Sequence, residues 1–209
     1  MSVRLVLARH GRTAANVAHV LDSRPPGAPL DELGLEQAQR LAVRLAERPL
    51  HAVHASRATR AQQTADPVAA AQGLTVEVVD GVHEVFMGDL EGRSDEAALE
   101  TFDEVYAAWW SGDLDARLPG GESARDVRDR FLPAIDTIVD GADGDVLLVS
   151  HGAAIRLAAA ALLGDTAETF YVPNTGLVEL RRDDAGWVLE SWDTAERVRG
   201  DVTAGGTPD

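Results

Sequence analysis

Two short apolar runs, Val3–Ala8 and Asp145–Val149, each lead into a histidine followed by a glycine. The first runs into Arg9-His10-Gly11 and the second into Ser150-His151-Gly152. Brief aliphatic and β-branched runs bounded by turn residues read as strands buried on both faces. Between them the periodicity changes. Leu35, Ala38, Leu41, Ala42 and Leu45 recur at helical spacing over Leu35–Ala46, as one face of an amphipathic helix requires. Ala52–Ala55 reads as a second strand, Arg57–Gln72 as a helix closed by Gly73, and Leu74–Val79 as a third strand. Ala97–Trp110 has helical character. Ser123 is placed to cap a helix reaching about Val139, broken or kinked at Pro133. After His151 a helix runs to Leu163. Gly176–Arg181 and Trp187–Trp192, separated by Asp183-Asp184-Ala185-Gly186, form a closing hairpin.

Strands that alternate with helices predict an α/β fold, a three-layer α/β/α sandwich with a mostly parallel central sheet and the hairpin at its end. Such sheets bind ligands beyond the C-terminal ends of their strands. His10 and His151 both fall at such ends. A chain of 209 residues suffices for one domain, expected over residues 1–198, and can bury about 70% of its unfolded surface. Residues 199–209 read as a flexible tail.

The formal net charge of −16 argues against nucleic acid as a partner, since so acidic a protein repels a phosphate backbone at long range. Small phosphorylated metabolites meet the same field. Positive charge would therefore have to be concentrated in one pocket for a phosphate enzyme to work. The absence of cysteine excludes disulfides and a thiol nucleophile. No stretch has the apolar length of a membrane span. Met1-Ser2-Val3-Arg4 lacks a cleavable signal pattern, so no membrane association and a cytoplasmic location are the expectation. A homodimer is the default assembly for such a chain.

A neutral imidazole can attack phosphorus and split one hard displacement into two easier ones. The attack needs cations about the phosphoryl oxygens, and the planar fork of arginine suits them. Arg9 stands beside His10. Arg57 and Arg60 follow the second strand in the first turn of a helix, where cations oppose the helix dipole unless an anion binds there. Arg57 reads better as a surface residue and Arg60 as a phosphate clamp. His151, opening a helix, is placed to bond a phosphate oxygen. The leaving alcohol needs a proton. Glu84, Asp89 and Glu91 all follow the third strand; Glu84 has apolar neighbours, which together with a bound phosphate favour a protonated carboxyl. The sequence alone does not choose among the three. His51 and His54 fall on opposite faces of a strand and make no metal site.

Taken together, these segments resemble the histidine phosphatase superfamily, also called phosphoglycerate mutase-like. The resemblance rests on Arg9-His10-Gly11 with Asn16, and on Ser56, Arg60, Ala61, Gln63, Thr64 and Ala65 in the pattern SxxxRAxQTA. Glu84 ahead of Gly88, Glu91 and Gly92, the segment Pro119-Gly120-Gly121-Glu122-Ser123, and Ser150-His151-Gly152 continue it in consistent order over residues 3–193. It implies an acid-phosphatase-type phosphoric monoester hydrolase that needs no metal or other cofactor and acts on a small phosphorylated substrate. His10 would be the nucleophile and Glu84 the proton donor, with Arg9, Asn16, Arg60 and His151 holding the phosphate. Two residues depart from the family pattern. Arg12 replaces a common Glu or Gln, and either widens the positive pocket or points away. Ala58 replaces a larger apolar residue.

Family mutases carry added basic residues after the acid segment. Arg93–Leu118 holds seven acidic residues against Arg93 and Arg117, a poor clamp for a second anion, so hydrolysis is expected over mutase transfer. Trp109 and Trp110 lie in this stretch and either line the leaving-group pocket or pack in the core. A binding or scaffold protein without turnover would have no need of His10 and Glu84.

Overall fold

The structure, a computed structural model, describes residues 3–194. The predicted tail and the last residues of the predicted domain lie outside the described residues. Six strands, β1 (Val3–Arg9), β2 (Ala52–Ala55), β3 (Val76–Val78), β4 (Val146–Ser150), β5 (Leu177–Asp183) and β6 (Gly186–Trp192), form one sheet in the order β3-β2-β4-β1-β5-β6. The four strands from β3 to β1 run parallel, whereas β5 and β6 are the antiparallel hairpin. The mostly parallel sheet with a closing hairpin is the architecture that the sequence predicts.

Alternation along the strands builds a core on each face. Leu5, Leu7 and Leu148 point to one side, against Phe102 of α4 (Glu96–Trp110), Phe131 of α5 (Ala124–Asp140) and Leu157 of α6 (Gly152–Leu163). Val6, Ala8 and Val149 point to the other, against Leu41 of α2 (Glu32–Leu45) and Val68 of α3 (Thr59–Ala71). With both faces covered, the strands have no need of polar alternation.

The structure differs from the sequence reading in three local details. The sequence reading passes over a short helix, α1 (Ala14–Val17), which Thr13 opens by a capping box with Asn16. α3 starts at Thr59 rather than Arg57, which leaves Arg57 on the surface paired with Asp80. α5 runs through Pro133 unbroken. Pro133 and Asp129, four residues earlier, are both exposed, so the carbonyl that loses its helical partner faces water, while the buried Phe131 and Ile135 anchor the helix on either side.

Trp109 belongs to the core. It is 2% exposed, and its indole N–H donates to the Ala116 carbonyl at 2.7 Å. Trp109→Ala is expected to cost about 3–5 kcal/mol of stability, read as a lowered denaturant midpoint. Trp110 is half-buried and stacks on the Arg156 guanidinium, 4.1 Å from its ring centre.

Candidate active site

The strand order makes β1 and β4 parallel neighbours, so their C-terminal ends deliver His10 and His151 side by side. The His10 amide donates to the Ser150 carbonyl at 3.0 Å, and the two imidazole centres lie 5.2 Å apart. β2, on the other side of β4, ends at Ala55 and places Ser56 and the start of α3 against the same pair.

Arg60 joins the two rings. Its Nε donates to His10 Nε2 at 3.1 Å and its terminal nitrogen to His151 Nδ1 at 3.2 Å. A guanidinium only donates, so each of these ring nitrogens offers a lone pair. His10 therefore carries its proton on Nδ1, which donates to the Gly11 carbonyl at 2.7 Å. His151 carries its proton on Nε2, directed at the Ser56 hydroxyl at 2.7 Å. The nitrogen of His10 with a lone pair is thus held toward the cation. Burial first, then the charges of Arg60 and Arg9, hold the His10 imidazole well below its usual range. Burial and Arg60 do the same for His151.

These shifts bear on stability. Histidines of the unfolded chain take up a proton below about pH 6.5, whereas His10 and His151 stay neutral in the fold to a much lower pH. The unfolded chain then binds more protons in that window. Stability therefore falls as pH drops below 6.5, by about 1.4 kcal/mol per pH unit for each such histidine. His151→Gln is expected to lower by about one the number of protons taken up on unfolding near pH 5.5, read from denaturant melts across that range. An unchanged slope would contradict a neutral His151.

Glu84 is buried and lies where the resemblance puts the acid, but its surroundings are more polar than expected. One carboxyl oxygen accepts from the backbone N–H groups of Val85 at 2.8 Å and Ala154 at 3.0 Å. The other accepts a single longer bond from Ala153 at 3.3 Å. Glu84 thus sits at the N-terminus of α6, one residue beyond His151, with Oε2 left the greater bonding capacity. Its two rivals are occupied elsewhere. Glu91 holds the backbone of Ser23 and Arg24 as well as the Ser23 hydroxyl, and Asp89 is exposed against Gly120.

His10, Asn16, Arg60 and Glu84 line one cleft with about 440 Å³ of empty space out to bulk solvent. Asn16 accepts from the Thr13 amide at 3.1 Å and has no partner for its amide donor among the described residues. Arg9 and His151 are fully buried and do not line the cleft; Arg9 donates to the Tyr171 hydroxyl at 2.5 Å and the Val172 carbonyl at 3.0 Å. Arg12 points away from the site and pairs with Asp31 at 2.7 Å.

The remaining motif residues position these groups. Gly11 donates to Thr64 at 2.9 Å, and a Cβ on Gly11 would fall 2.7 Å from the Gly34 carbonyl. The glycine thus lets α2 press against the histidine turn. Gln63 accepts from the Leu30 amide at 2.8 Å. Glu122 accepts from the Phe86 amide at 2.9 Å, and Ser123 caps α5. Arg130, which the sequence reading did not single out, binds Glu122 and donates to the carbonyls of Gly81, His83 and Glu84 at 2.7–3.0 Å. It clamps the segment that carries the acid. Asn174 was missed as well, and donates to the His10 carbonyl at 2.9 Å.

Known proteins resemble this chain in sequence and fold. The chain is 30% identical over 194 residues to the probable phosphoglycerate mutase GpmB of Yersinia pestis, covering 91% of this chain and 90% of that one. It is 31% identical to the PE-PGRS family protein PE_PGRS11 of Mycobacterium tuberculosis over 92% of its length, but spans only 36% of that longer protein. Among solved structures, a mycobacterial glucosyl-3-phosphoglycerate phosphatase superposes with a TM-score of 0.78 at 28% identity, over 93% of this chain and all of the other. The alpha-ribazole phosphatase of Shigella flexneri superposes with a TM-score of 0.74 at 29% identity, over 99% of this chain and all of the other. The model of the histidine phosphatase superfamily (branch 1) matches residues 5–195. The chain belongs to the histidine phosphatase superfamily.

Proposed function

We propose that the protein is a phosphomonoester hydrolase that works without a metal ion, through a phosphohistidine formed on His10, on a small phosphorylated metabolite. The observation that carries this reading is the Arg60 bridge, which fixes the tautomer of His10 and holds a cation against its lone pair. On binding, the phosphoryl oxygens replace the imidazoles as acceptors for Arg60, and Nε2 of His10 is freed. Asn16 adds a donor at the cleft wall, while Arg9 sustains the positive field from behind, beside the neutral His151. Nε2 then bonds to phosphorus as the ester P–O bond breaks, and Glu84 gives its proton to the departing oxygen. In the second step water attacks phosphorus, Glu84 takes a proton from it, and the N–P bond breaks to release phosphate and neutral His10.

Hydrolysis is favoured over mutase transfer because the two basic residues of the acidic segment are engaged with its own surroundings. Arg93 pairs with Asp95 at 2.6 Å and Arg117 with Asp126 at 2.5 Å. The test is hydrolysis of an aryl phosphate in EDTA. Sustained turnover is expected; loss that an added metal restores would overturn the metal-free mechanism. Absence of hydrolysis together with interconversion of phosphoglycerates would show a mutase.

A further inference from the structure

Beyond the seat of the phosphate, the cleft is short of positive charge. Arg60 is the only arginine or lysine that lines it, among the described residues, against two carboxylates, Glu84 and Asp22. The other arginines of the neighbouring segments are engaged elsewhere: Arg12 with Asp31, Arg57 with Asp80, and Arg24 over the Phe86 ring at 4.7 Å. Asp22 is held in place. Its Oδ2 accepts from the Ala28 amide at 2.8 Å and from Arg60 at 3.2 Å, while its backbone carbonyl takes a second Arg60 nitrogen at 2.9 Å. Its Oδ1 accepts no hydrogen bond from the described residues, and the side chain is 20% exposed. Beside it His19 holds a left-handed backbone, φ 53°, and its ring also lines the cleft; such a conformation is uncommon outside glycine.

We propose that Asp22 is a specificity-determining residue that favours phosphate esters of neutral, hydroxyl-bearing alcohols over esters whose alcohol part carries an acid. This rests on the phosphate reading of the cleft given above. A free carboxylate oxygen accepts hydrogen bonds from sugar-like or polyol hydroxyls. The same oxygen repels a substrate carboxylate in a partly desolvated site, where like charges interact far more strongly than in water. Among the described residues no second arginine or lysine lines the cleft to offset it, so that repulsion falls on the alcohol half of the substrate.

Glycerol 3-phosphate and 3-phosphoglycerate test this directly, since they differ by a hydroxymethyl group against a carboxylate. Their dissociation constants are measured by calorimetry on the His10→Ala protein, which cannot turn them over, with and without Asp22→Asn or Asp22→Glu. Glycerol 3-phosphate, whose alcohol part is uncharged, is expected to bind about tenfold more tightly. Asp22→Asn should reduce that ratio about tenfold, and Asp22→Glu should preserve it. A ratio that Asp22→Asn leaves within twofold, or tighter binding of 3-phosphoglycerate by the protein with Asp22 intact, would overturn the assignment. Inorganic phosphate, titrated in parallel, separates the two readings: if it does not bind, the phosphate pocket itself is wrong, whereas normal phosphate binding with an unchanged ratio condemns only the role of Asp22.

Discussion

His10→Ala is expected to abolish turnover of phosphate esters, with kcat/KM falling by at least about 10⁴-fold, as happens when a covalent nucleophile is removed. The fold should survive the change. The bonds that fix the chain at this position are made by the backbone, from the His10 amide to Ser150 and from Asn174 to the His10 carbonyl. The ring itself bonds only the Gly11 carbonyl and Arg60, and Arg60 retains Asp22 and His151. The variant should therefore keep its circular dichroism and its cooperative melt while losing the acid-labile phosphoenzyme expected to be trapped from the wild type by rapid quenching. Activity within tenfold of the wild type would rule out the phosphohistidine, whatever the remainder of the cleft does.

The architecture was legible because period and position agree. Short apolar runs lie ahead of His10, Ser56 and His151, and helical spacing fills the segments between them, so the order of elements follows from pattern alone. The boundaries that went astray are those set by local detail. α1 spans only four residues and depends on a Thr13–Asn16 capping box, too short to show periodicity. Of the break or kink expected at Pro133, the break did not occur because the proline sits on the solvent side of α5, which a linear reading cannot see.

The site was legible in kind but not in depth. Sequence order places a histidine at two strand ends; it does not show that Arg60 binds both, or that Arg9 and His151 stand behind the cleft wall. Arg130 escaped notice because its partners are backbone carbonyls more than forty residues away in the chain. Its side-chain partner Glu122 lies just ahead of the Ser123 cap of α5, so no helical spacing links the two. Asp22 gave no signal at all. Its meaning depends on Arg60 and on the lack, among the described residues, of any other arginine or lysine lining the cleft, both products of the fold.

Glu84→Gln distinguishes an acid from a merely structural carboxyl. The amide oxygen can still accept from Val85 and Ala154, and the substitution affects only the longer Ala153 contact, so the segment should stay in place under the Arg130 clamp. What is lost is the proton. General acid catalysis contributes about 10²–10⁴-fold, and its weight depends on the leaving group. An alkyl phosphate departs as a strongly basic alkoxide and needs that proton in the transition state, whereas a nitrophenolate leaves readily without it. The variant is therefore expected to lose about 10³-fold in kcat on an alkyl phosphate and far less on p-nitrophenyl phosphate. The phosphoenzyme should then accumulate on the aryl ester, because attack by water has lost its base. Equal losses on both esters, with no accumulation, would mean that Glu84 serves only to hold the N-terminus of α6, and the proton would have to come from another group in the cleft.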